Sequence, residues 1–140
     1  MPYALTTTLD DHQKWVELLQ LFLPEAEFVE FHVLYKSYAV NNEIAGLQAD
    51  RIEAKERNNR FFPDQRIHRY RISDSIKNFI LSKPYHSWLN YQYEDLTLIK
   101  DEEEILSTIT HENYLFIKTN DTLRADLNRR GFNFGELFEP

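Results

Sequence analysis

The chain carries five histidines (His12, His32, His68, His86 and His111) and no cysteine. Thiol nucleophiles, disulfides and Cys-based zinc sites are therefore outside its chemistry. His111 and Glu112 begin like the metalloprotease pattern H-E-x-x-H, but Leu115 stands where the second histidine belongs. A polar turn accounts for the pair better than a metal site does. The three glycines, Gly46, Gly131 and Gly135, form neither a phosphate-cradling loop nor a nucleophile elbow. No cofactor and no metal are expected. With 23 acidic residues, sequence spacing alone singles out no carboxylate pair for acid–base work.

Two charged constellations remain. The first lies in residues 51–71, where Arg66, His68, Arg69, Tyr70 and Arg71 follow one another closely. Cations interleaved with aromatics can clamp an anion or hold phosphates and stack bases, and a histidine there titrates near neutrality. This segment is the candidate anion or nucleic-acid site, with catalysis open to it. The competing reading is that these arginines pair with acids elsewhere in the chain. The second constellation is the run Asp101, Glu102, Glu103 and Glu104, with Glu94 and Asp95 upstream. At a hairpin tip such acids keep an edge soluble, or they attract a basic partner. Trp88, Tyr91 and Tyr93, with Tyr85, precede them and can supply the buried anchors that dominate affinity, or can pack the core.

Charge is distributed unevenly along the chain. Residues 1–50 have 2 basic and 8 acidic side chains, residues 51–71 have 7 and 3, and residues 72–140 have 7 and 12. The total of −7 disfavours general nucleic-acid binding and favours a basic protein partner. A length of 140 residues, 42% of them apolar, suits one domain spanning residues 1–140 with its own core. The first residues lack the basic and apolar regions of a signal peptide, and no apolar run approaches membrane-spanning length. The expected location is the cytoplasm.

The elements that must hold these groups follow from periodicity. Trp15, Leu18, Leu19 and Phe22 make one apolar stripe, predicting a helix over 11–22 capped by Asp10 or Asp11 and ended by Pro24. Residues 28–38 alternate like a strand with one buried face. Residues 43–57 predict a largely solvated helix, and residues 66–72 a short edge strand. Ser73 or Asp74 caps a helix that stops before Pro84. Residues 96–99, 105–109 and 114–117 predict three strands of an antiparallel meander. A last helix begins at Asn120 or Asp121 and ends at Gly131, a position suited to a left-handed cap. The expected class is α+β: a C-terminal three-stranded antiparallel meander plus an N-terminal strand, packed with about four helices.

The segment Glu94-Asp95-Leu96-Thr97-Leu98, continuing to Thr108-Ile109-Thr110-His111-Glu112, resembles small uncharacterised bacterial proteins, some from toxin–immunity neighbourhoods. The resemblance covers about 25 of the 140 residues and implies no catalytic group. It implies a small acidic protein with exposed aromatics, which fits a non-enzymatic domain docking a basic protein partner, immunity-like or regulatory.

Overall fold

The structure, a computed structural model, describes residues 2–7, 9, 11–33, 47, 50–56, 66–88 and 94–139. Its strands are β1 (Tyr3–Thr6), β2 (Phe28–Val33), β3 (Arg51–Glu56), β4 (Arg66–Arg71), β5 (Glu94–Lys100), β6 (Glu103–Ile109) and β7 (Tyr114–Lys118). Its α-helices are α1 (His12–Phe22), α2 (Asp74–Leu81) and α3 (Asp121–Arg129). The strands form one sheet in the order β1-β7-β6-β5-β2-β4-β3, with every neighbouring pair antiparallel. The mixed α+β class and the C-terminal meander are as expected.

Each of these three helices starts on a side-chain cap. The Asp11 carboxylate accepts from the Gln13 and Lys14 amides, Ser73 Oγ from Ile76 and Asn120 Oδ1 from Leu123. Gly131 has φ +98°, and the Phe132 amide returns to Leu127 O at 3.1 Å, closing α3. α1 ends at Phe22, before Pro24, as expected. It passes into a 3-10 turn at Leu23–Glu25, where proline sits in the first turn and its missing N–H costs little.

Strand alternation gives the sheet two different faces. Ala4, Val29, Phe31, Tyr70, Leu96, Leu98, Leu106, Leu115 and Ile117 share one buried core with Trp15, Leu18, Leu19, Ile76, Ile80 and Leu127 from the helices. The residues between them, including Tyr3, Glu30, His32, Ile67, Thr97, Ser107 and Phe116, line the opposite face.

Three expectations need correction. Within the helix expected over 43–57, residues Arg51–Glu56 are instead the edge strand β3. Alternating charge along a solvated segment suits a sheet edge as well as a helix surface. Of the remainder, Leu47 and Asp50 are helical and the other positions lie outside the described residues. The described residues therefore hold three α-helices, not about four. β4 is not an edge, because it pairs with both β2 and β3. Finally, the short strand β1 at Tyr3–Thr6 pairs with β7 and was not expected from the sequence.

Candidate functional site

Strand alternation divides the basic segment. His68 and Tyr70 point into the helix-covered core, 2% and 0% exposed, with His68 Nδ1 3.4 Å from the Tyr70 hydroxyl. Arg69 and Arg71 fall on the other face. Arg66 opens β4, and its side chain lies outside the described part of the structure. The clamp expected from Arg66, His68, Arg69, Tyr70 and Arg71 is thus not brought together: a period of two sends successive residues to opposite sides. Arg69 is already engaged. Its Nε donates to Glu30 Oε2 at 2.9 Å, its Nη1 to Glu102 Oε1 at 3.2 Å, and its guanidinium lies over the Phe28 ring at 5.1 Å.

The aromatic anchors before β5 are corrected as well. Trp88 is fully buried, stacked on Phe31 with centroids 5.4 Å apart and set edge-on to Phe79 at 5.8 Å. Tyr85 is buried against Trp15, and its hydroxyl donates to the Tyr114 carbonyl at 2.9 Å. Burial, and then the charge of Asp95, push the Tyr85 phenol well above the ordinary tyrosine range. These rings pack the core and cannot meet a partner. Tyr91 and Tyr93 lie outside the described residues.

The acidic run forms the β5–β6 hairpin. Asp101 and Glu102 both adopt left-handed backbone, with φ 53° and 60°, as a tight turn between twisted strands requires. The Asp101 amide donates to Glu27 Oε1 at 2.7 Å. Glu102 pairs with Arg69 and Glu103 with Lys118, so part of the run is neutralised within the molecule. Glu104 lies on the open face.

That face contains a hollow of about 720 Å³, a volume in the range of small-ligand sites. Its polar wall is made by Glu30 and His32 on β2, Asp95 and Thr97 on β5, and Glu104 and Ser107 on β6. Its apolar wall is made by Tyr3, Ile109, Phe116 and Phe138. Two register shifts shape it. One separates the Glu30–Thr97 and His32–Glu94 pairs, and the other separates Leu98–Leu106 from Ile99–Glu104. Irregularities of this kind re-aim side chains. At the first, Asp95 takes φ 53°, a conformation that aspartate tolerates better than most residues. Its carboxylate accepts from the Thr110 amide at 2.9 Å and stands 3.8 Å from His32 Nδ1.

The chemistry of this wall is acidic. Three carboxylates line it, and no lysine or arginine does so among the described residues. Partial burial raises the Tyr3 phenol pKa, and the charges of Glu104 and Glu139 raise it further. The 3.8 Å separation of His32 and Asp95 exceeds a hydrogen bond, so they are not a base and its orienting acid in this arrangement. Ser107 Oγ lies 3.4 Å from Thr97 Oγ1. No group of three or more His, Asp or Glu suited to a metal ion occurs among the described residues. No helix among them is long and apolar enough to cross a membrane.

Sequence reasoning missed this hollow because its residues come from six separated strand segments and the tail. The one local signal was Glu94-Asp95, where an acid precedes an alternating run at the position that carries the register shift. No known family model, curated protein or solved structure matches this chain.

Proposed function

We propose that the chain is a non-enzymatic binding domain that docks a basic protein partner on the open face of its sheet, acting in the cytoplasm as an immunity-like or regulatory protein. One observation carries this reading: Glu30, Asp95 and Glu104 line the hollow together with aromatic rings, while among the described residues no Lys or Arg lines it and, of the three, only Glu30 is bonded to an arginine, Arg69. Carboxylates next to rings suit a cationic guest, and the net charge of −7 draws such a partner from a distance. The outward Asp101, Glu102 and Glu103 extend the negative field past the hollow, although Arg69 and Lys118 offset part of it.

Titration of the protein with low-mass polyarginine and polylysine tests the reading. Binding is expected at low salt, to weaken as salt is raised, and to weaken again in the double variant Asp95→Asn/Glu104→Gln. Asparagine tolerates the backbone at 95 and its amide oxygen can still accept from Thr110, so this variant removes charge with little change of shape. Affinity that ignores both salt and the variant would remove the basis for the proposal.

A further inference from the structure

The docking reading leaves open which basic group enters the hollow. Resting on that reading, we infer that the hollow is the receptor for one arginine side chain of the partner. The two walls favour a flat cation. Glu30, Asp95, Thr97 and Ser107 offer oxygen acceptors, and next to them in the lining, with Phe116 paired directly to Ser107, stand the Phe116 and Phe138 rings. A guanidinium has five donors in a rigid plane, accepts nothing, stacks on rings and is weakly hydrated, whereas an ammonium is compact and holds its water. An ammonium can also sit over a ring, as Lys14 does over Phe132, but the flat guanidinium is the better fit to rings and several acceptors at once.

The same face already shows this mode of recognition one strand away. Arg69 lies over the Phe28 ring at 5.1 Å while bonding Glu30 at 2.9 Å and Glu102 at 3.2 Å, a ring-and-carboxylate setting for an internal guanidinium. Arg69 takes Glu30 Oε2, and among the described residues no donor reaches Oε1 or the Glu104 carboxylate. Acceptors are therefore left for a second guanidinium from outside. The hollow, about 720 Å³, also has room for the chain flanking the guest side chain.

The experiment follows amide chemical shifts of the full chain during titration with three capped tripeptides, alike except for a central arginine, lysine or citrulline. The arginine peptide is expected to move the amides of Thr97, Ser107 and Phe116 and to bind at least about fivefold tighter than the lysine peptide. Citrulline, which keeps the shape without the charge, is expected to leave these amides unmoved. Phe138→Ala, at a ring that is 37% exposed, is expected to weaken the arginine peptide more than the lysine peptide. Equal affinity for arginine and lysine, or shifts confined to other parts of the chain, would overturn the arginine assignment. In that case polyarginine that still responds to salt and to Asp95→Asn/Glu104→Gln leaves the docking reading standing. Polyarginine that ignores both brings the two down together.

Discussion

Arg69 and Glu30 oppose each other across the β4–β2 pair, with guanidinium Nε 2.9 Å from carboxylate Oε2. The same guanidinium reaches Glu102 on the β5–β6 hairpin, so one side chain joins three strand segments. Partial burial acts to lower the Arg69 pKa, but its hydrogen bonds to the two carboxylates, and their charges, more than offset this and raise it. The basic middle of the sequence and its acidic flanks therefore meet at this point.

Arg69→Ala is expected to lower stability by about 1–3 kcal/mol, since it leaves Glu30 charged and only 18% exposed without its partner. Arg69→Lys should recover only part of the loss, because an ammonium cannot span both carboxylates in the plane of a fork. Urea unfolding measures both, and a lysine variant as stable as the parent would show that the bridge is unimportant.

Glu102→Gly sets two effects against each other. It relieves a left-handed glutamate, worth roughly 1 kcal/mol, and it removes the pair with Arg69. Glu102 is 74% exposed, and a pair of that kind contributes about 0–1 kcal/mol. Relief of strain should win, leaving the variant at least as stable as the parent in thermal melts. A clear loss would place the Arg69–Glu102 contact above the usual surface value.

Trp88→Ala should act on folding and not on docking. Removing a ring stacked on Phe31 in a close-packed core costs about 3–5 kcal/mol, which calorimetry or urea melts detect. Where the variant remains folded in stabilising buffer, its affinity for polyarginine should match the parent.

Stability is also expected to fall in strong alkali. Tyr85 has its folded pKa raised above the ordinary 10.0 by burial and by Asp95, and Tyr3 is raised from the same value. Below pH 10.0 both states keep these protons and the tyrosines leave stability unchanged with pH. Above it the unfolded chain ionises first and binds fewer protons than the folded one, so stability declines. Tyr85→Phe should lose about 1 kcal/mol at neutral pH through its bond to the Tyr114 carbonyl, yet show a shallower decline above pH 10.0. Urea midpoints across this range decide it.

Elements with strong local signals were legible in the sequence. α1 follows from the Trp15–Leu18–Leu19–Phe22 stripe, α2 from Ser73 and its apolar face, and the meander from three short β-type runs with polar turns. β1 was not legible, because four residues, Tyr3–Thr6, are too few to show a period and owe their strand state to β7. Residues Arg51–Glu56 misled because alternating charge is compatible with either state until a partner strand is known. Chemistry was harder to read than fold. Adjacent residues such as His68 and Arg69 fall on opposite faces, while Glu30, Asp95 and Glu104 gather from distant positions. Only the strand order, which spacing does not encode, reveals this.

At the outer side of β1, the Tyr3 amide donates to the Phe138 carbonyl and the Phe138 amide to the Tyr3 carbonyl, both at 2.9 Å. The tail thereby acts as a stopper against self-assembly: it occupies backbone groups that a neighbouring copy could otherwise add to, strand upon strand. Clipping the last few residues would then convert a closed border into a sticky one, and light scattering of the shortened protein should show growing aggregates.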